Sequence, residues 1–191
     1  MKFLPEVKRT RFLAGDELER LRGVMQPSDW KLVAVAVETG LTREEQFRLR
    51  WDQVDLENGI LTLSLPKGGR TPHVPLSEEA KAILRSFDSF LQSASVFPGL
   101  RDMTQPMDTR AFPRRSFEPG LRQAGIAGTC WHSLRHTAAS RRVMAGLDLV
   151  SVKEILGHRD IQTTLRYAHL APADRRDAVN RGSLSGTVTK P

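Results

Sequence analysis

The stretch WHSLRHTAAS, residues 131–140, together with EILGHRDIQTTLRYAHLAP, residues 154–172, decides how this chain is interpreted. The two segments supply two imidazoles, a guanidinium and a phenol from His132, Arg135, His158 and Tyr167. Tyr167 is the only tyrosine in the sequence. A base, phosphate-binding donors and an oxygen nucleophile in this order suit phosphoryl transfer through a covalent tyrosine.

Each of these side chains has a chemical role in such a reaction. The Tyr167 hydroxyl is a weak nucleophile at its ordinary pKa near 10, so it needs a proton acceptor and a positive field. His132 is the best candidate base. Arg135 lies one turn further on the same helical face, where its planar guanidinium can bind phosphate oxygens bidentately. His158 follows Gly157 at a predicted helix end, from which it can donate to a phosphate oxygen.

A leaving-group acid is available at a predicted turn. Lys67 begins the sequence Lys-Gly-Gly-Arg, which predicts the tip of a β-hairpin, and an ammonium there can protonate a leaving 5′ oxygen. The acidic residues are scattered over helix faces, so two-metal nuclease chemistry is disfavoured. His132 and His136 have the spacing of some zinc ligands, but no third ligand follows at a matching distance. We therefore expect no metal and no cofactor.

Taken singly, these residues have ordinary structural interpretations. A tyrosine on a helix is more often a core or surface residue than a nucleophile, and a lysine beside two glycines is usually a solvated turn residue. We expect His73 and His169 to be structural or exposed. The joint order of the residues, and no single one of them, favours the phosphoryl-transfer interpretation.

Composition predicts the class of partner. The 191 residues carry a formal charge of +7, which favours a polyanion, with nucleic acid as the leading candidate. No apolar run reaches about 18 residues, and the first 21 residues lack the apolar centre of a signal peptide, so we expect a cytoplasmic protein without a membrane span. Cys130 is the only cysteine, which excludes an internal disulfide, and we expect it to be buried and reduced.

The pattern along the chain predicts one mainly α-helical domain with a small three-stranded antiparallel sheet. We expect a basic linker or arm over 1–14, the catalytic domain over 15–171, and a C-terminal helix and tail over 172–191. Alternating leucines predict a strand over 61–65, and 71–75 returns as an edge strand because it contains Pro72 and Pro75. Helices are predicted after Asp16, after Ser28 as far as Gly40, from Thr42 to about Arg50, from Ser77 to about Leu91, and over 108–124, 132–145, 148–156 and 160–169.

Together with ETGLTREEQFRLRWDQVDL, residues 38–56, the two quoted segments resemble the catalytic domain of the tyrosine recombinases, the phage integrase family. The resemblance extends from about Arg11 to Ala173. It implies a helical fold with a small sheet, of the DNA breaking-rejoining type. It also implies a reaction that forms a 3′-phosphotyrosine and a free 5′-hydroxyl without ATP or metal. Family members usually carry a further DNA-binding domain before this one, so the resemblance implies an excised fragment or a truncated relative.

Family roles can be carried over residue by residue. The resemblance makes Tyr167 the nucleophile, Lys67 the general acid and His132 a base or positioning residue, with Arg135 and His158 as phosphate ligands. The chain departs from the family pattern at Thr42, where the first catalytic arginine is expected.

Arg43 is not equivalent to that arginine, because adjacent helical residues point about 100° apart. Losing one such donor slows catalysis by roughly a hundred- to a thousandfold in comparable sites. Thr42 has a structural role instead, since Thr42 and Glu45 form the S/T-x-x-E capping box.

The function predicted is site-specific DNA recombination, impaired by Thr42. Two alternatives remain, a type IB topoisomerase and a DNA-binding regulator of the same fold with weak catalysis. We expect a free monomer and a tetramer on double-stranded DNA, with the segment 172–191 exchanged between protomers. Candidate DNA contacts are Arg70, Arg114, Arg115, Arg141, Arg142 and Arg159.

Overall fold

The computed structural model describes residues 10–63 and 73–172. Over these ranges the chain is mostly α-helical, with a single three-stranded antiparallel sheet near its middle. The helices are α1 (Gly15–Val24), α2 (Pro27–Thr39), α3 (Arg43–Phe47), α4 (Glu78–Arg85), α5 (Glu118–Gln123), α6 (Trp131–Met144), α7 (Leu149–Leu156) and α8 (Gln162–Leu165). Short 3-10 turns cover Trp51–Gln53, Asp88–Leu91 and Ala168–Leu170, and a π-helical turn, Pro113–Phe117, leads into α5.

The sheet is three-stranded and antiparallel, as predicted, and the strand that contains Pro75 lies at its edge, also as predicted. Its strands are β1 (Val54–Asp55), β2 (Ile60–Thr62) and β3 (His73–Pro75), in the order β1-β2-β3. Leu61 pairs with Val54 on one side and with Val74 on the other. Leu61 and Leu63 are buried whereas Thr62 is exposed, which confirms the alternation. Pro75 lies on the edge strand, where its missing N–H leaves no gap inside the sheet.

Four helix ends follow the predicted local chemistry. Gly40 and Gly157 end α2 and α7 with φ of 71° and 66°, a left-handed conformation that favours glycine. The Thr42 side chain accepts from the Glu45 N–H and the Glu45 carboxylate accepts from the Thr42 N–H, which confirms the capping box. The Ser77 hydroxyl caps α4 by accepting from the Ala80 N–H.

Several predicted bounds are wrong. Asp16 and Ser28 lie inside the first turns of α1 and α2, whose caps are Ala14 and Gln26. The helix predicted as far as Leu91 ends at Arg85, and the chain then turns so that the Phe87 ring contacts Phe97 at 5.2 Å. The helices predicted to Arg50 and over 160–169 are also shorter, as α3 and α8, and helical structure begins at 111 in place of 108.

An aromatic cluster fixes the start of α6. The Trp131 ring lies 5.4 Å from Phe47, 5.6 Å from Phe112 and 5.1 Å from Phe117, centroid to centroid. Leu13, in the predicted arm, is also buried, and its N–H donates to Thr137 on α6 at 2.9 Å. The helix that carries His132 and Arg135 is therefore anchored in the core from two sides.

A second, smaller core lies between α6 and α7. It contains Ala139, Val143, Val152, Leu156 and Tyr167, so the predicted nucleophile is also a core residue. No helix within the described ranges is long and apolar enough to cross a membrane.

The expectation that Cys130 is buried is wrong. The residue is exposed, because Cys130 is the N-cap just outside α6, where its N–H donates to the Ser133 hydroxyl at 3.2 Å. An N-cap lies at the end of a helix, beyond the apolar face that packs into the core.

Candidate active site

Arg135 is held rigidly at the centre of the site. It lies on α6 with 9% of its surface exposed. One guanidinium nitrogen donates to the Gly40 carbonyl at 2.8 Å, and the other donates to the Leu156 carbonyl. The Glu45 carboxylate lies 3.7 Å from the first nitrogen. Contacts from α2, α3 and α7 therefore fix one cation in a place where a bound anion would not need to reorganise it.

His158 stands at the junction of α7 and α8. The left-handed Gly157 turns the chain out of α7, and His158 Nδ1 then lies 2.8 Å from the Thr164 hydroxyl on α8. Burial first, and then the charges of Arg135 and Arg166, lower the pKa of His158 to about 4. His158 is thus a neutral hydrogen-bonding group at pH 7.

The Tyr167 hydroxyl is enclosed and hydrogen-bonded. Only 2% of the residue is exposed, and its oxygen lies 2.5 Å from Nδ1 of His136. Burial raises the pKa of Tyr167, while the charges of Arg166 and Arg135 lower it. The phenol is therefore protonated near neutral pH and needs an acceptor before it can attack.

The two histidines of α6 stack edge to face. The His132 and His136 ring centroids are 4.7 Å apart with the planes at 84°. Burial first, and then the neighbouring His132, Arg166 and Arg135, lower the pKa of His136 to about 4. Burial also lowers the pKa of His132, followed by the charges of Arg135 and Arg166. The imidazole next to the Tyr167 hydroxyl, that of His136, is therefore neutral, and the fixed positive charge comes from arginine.

Thr42 is connected to this site through Glu45. The Glu45 carboxylate accepts from the Thr42 N–H at 2.7 Å and also lies near the Arg135 guanidinium. Thr42 itself is uncharged and is used as a helix cap. Arg43, its neighbour, pairs with Glu44 at 3.7 Å and does not contribute to the pKa shifts of the three histidines or of Tyr167.

Three residues of the site have roles that the sequence patterns do not predict. The sequence indicates His136 only as a possible metal ligand, although its i+4 spacing from His132 places it on the same helical face. The sequence predicts Glu45 as part of a helix cap but not as a neighbour of Arg135. The charge of Arg166 lowers the pKa of His132, His136 and His158 and also acts on the pKa of Tyr167. The only sign of this role in the sequence is that Arg166 directly precedes Tyr167.

The sequence profile of the phage integrase family matches residues 11–174 of this chain. The chain belongs to the phage integrase family. The tyrosine recombinase XerC of Xanthomonas campestris pv. campestris (strain B100) is 34% identical over 171 residues, which cover 85% of this chain and 52% of the relative. This integrase-family chain therefore spans about half the length of that curated relative.

Solved structures agree with this membership. The catalytic domain of bacteriophage HP1 integrase superposes with a TM-score of 0.68 at 28% identity, covering 93% of this chain and 98% of that domain. The XerH recombinase bound to palindromic difH substrate, in a post-cleavage complex, superposes with a TM-score of 0.70 at 23% identity, covering 91% and 53%. The likeness to XerH concerns the fold alone.

Other residues predicted for the integrase-family site are placed only in part. Lys67 and Arg70 lie outside the described residues. The side chains of Arg114, Arg115, Arg141 and Arg159 are exposed. Arg142 is half-buried and donates to the Glu38 carbonyl at the end of α2, so its guanidinium is used inside the protein. His73 and His169 are exposed, and no group of three potential metal ligands occurs within residues 10–63 and 73–172.

Proposed function

We propose that this chain cleaves and rejoins duplex DNA at specific sites through a covalent link between Tyr167 and a 3′ phosphate. The observation that carries the proposal is the packing of the Tyr167 hydroxyl beside the His136 imidazole, within the electrostatic influence of the Arg135 guanidinium on the same helix. Residues more than thirty positions apart meet there. Burying several polar side chains together costs free energy, because each polar group must find a hydrogen-bond partner, so such a cluster favours a functional role.

Each side chain has a role in this scheme. Tyr167 attacks phosphorus, Arg135 and His158 bind the non-bridging oxygens, and His132 acts as base or positions the phosphate. Lys67 protonates the leaving 5′ oxygen. Neutral imidazoles suit these tasks, since they donate a hydrogen bond from one nitrogen and accept at the other. The scheme uses neither a metal ion nor a nucleotide.

Double-stranded DNA is the partner that the scheme requires. The net charge of +7 and the exposed Arg114, Arg115, Arg141 and Arg159 support it, because phosphate contacts supply most of the affinity in such complexes. XerH, which shares this fold, was crystallised bound to its palindromic difH substrate. We further propose that residues 15–171 form the catalytic domain, that four protomers act together on DNA, and that the segment 172–191 packs on a neighbouring protomer.

Thr42 leaves the proposed activity weak. An arginine there would stand beside the Glu45–Arg135 pair, within the same group of charges. A threonine supplies no cation for the developing charge on phosphorus, and losing one such donor costs roughly a hundred- to a thousandfold in rate. The activity that remains without an arginine at position 42 depends on Arg135, His158 and Arg166.

Covalent capture tests both the reaction and the effect of Thr42. The chain and its Thr42→Arg variant are incubated with a pool of nicked duplexes of randomised sequence, and adducts that survive denaturation are recovered and sequenced. We expect adducts from both proteins on a shared sequence, and faster formation with Thr42→Arg. Equal rates would refute the impairment by Thr42, and an absence of adducts from both would refute the proposed reaction.

A DNA-binding regulator is the second candidate, and the capping box favours it. Thr42 stabilises α3 whether or not catalysis occurs, and a helix cap is worth about 1 kcal/mol. Sequence-specific retention of DNA by both proteins without any covalent adduct would identify this function.

A further inference from the structure

His136 makes a contact that none of the roles above uses. It lies on α6 one turn after His132, and its Nδ1 is 2.5 Å from the Tyr167 oxygen. The two ring centroids are 6.0 Å apart. Within the described ranges no other side chain forms a hydrogen bond to this hydroxyl. His132, the base expected from the sequence, contacts the His136 ring and makes no hydrogen bond to the phenol.

The direction of this hydrogen bond follows from the protonation states. The pKa of His136 is lowered to about 4, first by burial and then by His132, Arg166, Arg135 and His158. The imidazole is therefore neutral at pH 7 and can accept at one nitrogen. Burial raises the pKa of Tyr167, so the phenol keeps its proton and is the donor. Nδ1 of His136 accordingly accepts, and its own proton is on Nε2.

We propose that His136 is the catalytic base that takes the Tyr167 proton during strand cleavage and returns it during rejoining. This inference rests on the proposed function. As the Tyr167 oxygen forms its bond to phosphorus, the phenolic proton passes to Nδ1 of His136. The bond from phosphorus to the 5′ oxygen breaks, the electron pair of that bond stays on the 5′ oxygen, and this oxygen takes a proton from Lys67.

Rejoining reverses each of these steps. The 5′-hydroxyl attacks phosphorus and gives its proton to Lys67, while the Tyr167 oxygen leaves with the electron pair of its bond to phosphorus. The imidazolium of His136 then protonates that oxygen. Cleavage followed by rejoining therefore returns the site to its starting state, with a neutral imidazole and a protonated phenol. Microscopic reversibility requires this, because one reaction is the reverse of the other at the same site.

Bound DNA makes His136 a better base than it is in the free chain. Burial is the first cause of the lowered pKa of His136, followed by the electrostatic effects of His132, Arg166, Arg135 and His158, and two of these neighbours, Arg135 on α6 and Arg166 beside Tyr167, are fixed cations. A phosphodiester carries a negative charge and pairs with those arginines. Offsetting two nearby cations with an anion favours the imidazolium, so proton uptake is coupled to substrate binding.

The experiment measures single-turnover cleavage by the 191-residue chain on a nicked duplex recovered by covalent capture. His136→Asn and His136→Gln each keep a hydrogen-bond acceptor near the phenol but cannot take up a proton at neutral pH. We expect both variants to form adduct about a hundredfold to ten-thousandfold more slowly, the range that a general base contributes. Circular dichroism and urea unfolding establish that the variants are folded.

A more acidic nucleophile separates a base from a positioning group. Tyr167→difluorotyrosine ionises more readily, so it should restore most of the rate lost in His136→Asn. The matched control is His132→Asn, whose lost rate it should not restore. The inference would be overturned if both His136 variants formed adduct at least as fast as the unaltered chain. It would also be overturned if difluorotyrosine left the rate of His136→Asn unchanged. Adduct from the unaltered chain keeps the proposed function intact in either case, and its absence refutes both.

Discussion

Replacing Gly40 by alanine should damage both the fold and the site. Gly40 ends α2 with φ of 71°, and its carbonyl accepts from the Arg135 guanidinium. A Cβ at this position would lie 2.5 Å from Leu156 Cδ2 and 3.3 Å from Ala138 Cβ. Leu156 is only 4% exposed, so its side chain has little room to withdraw. The substitution therefore pushes α7 away from α2 and α6.

Two separate terms set the size of this effect. The left-handed conformation costs an alanine roughly 1–2 kcal/mol. The collision with Leu156 and Ala138 is an overpacking of the core, which typically costs about 1–3 kcal/mol. The sum predicts that Gly40→Ala lowers the free energy of unfolding by about 2–5 kcal/mol. Gly125→Ala is the matched control, because its φ is 67° and nothing lies within 4 Å of its Cβ, so it should lose only the first term.

Urea unfolding followed by circular dichroism measures both losses on one scale. Cleavage by the fraction of each protein that remains folded provides the second comparison. Gly40→Ala should cleave more slowly than Gly125→Ala, because it separates the Gly40 and Leu156 carbonyls that orient Arg135. Equal free energies of unfolding for the two variants would refute the close packing of α2 on α7. Equal cleavage would refute the orientation of Arg135 by these carbonyls.

Acid should destabilise the chain through two half-buried histidines, because the folded-state pKa of His136 and of His158 is about 4, below the usual 6.5. The unfolded chain therefore binds more protons, and the free energy of unfolding falls from pH 7 to pH 5. Urea midpoints over that range should fall less steeply for His158→Gln, and an unchanged slope would argue against neutral His158. Arg141→Gln should reduce the salt slope of DNA affinity by about 1 if that exposed side chain meets a phosphate. Arg142→Gln should instead lower the free energy of unfolding by about 1–3 kcal/mol, because its contact with the Glu38 carbonyl is lost. Equal salt slopes for the two variants would contradict the assignment of Arg141 to DNA binding and of Arg142 to the fold.

Features set by neighbouring residues could be predicted from the sequence. The Thr42–Glu45 capping box depends on a spacing of three residues, and Gly157 ends α7 because glycine tolerates a left-handed turn. His132 and Arg135 share a helical face for a similar local reason. The burial of Leu61 in β2 and of Leu63 just after it also follows from the period of a strand.

Features that depend on packing could not be predicted. The contact of His136 with Tyr167 joins α6 to the turn after α8, and no local pattern reports how those elements meet. The Glu45 carboxylate lies beside Arg135 for the same reason. The helix predicted to Leu91 ended early because Phe87 packs on Phe97, a tertiary preference that overrides local helix propensity.

The nucleophile is the central claim, and one measurement tests it most directly. The chain is incubated with the captured nicked duplex, the adduct is digested with protease and nuclease, and the peptide that carries a nucleotide is identified by mass spectrometry. We predict a 3′-phosphate bound to the Tyr167 oxygen, and no adduct from Tyr167→Phe. An adduct that persists in Tyr167→Phe, or one joined through a 5′ phosphate, would contradict the account.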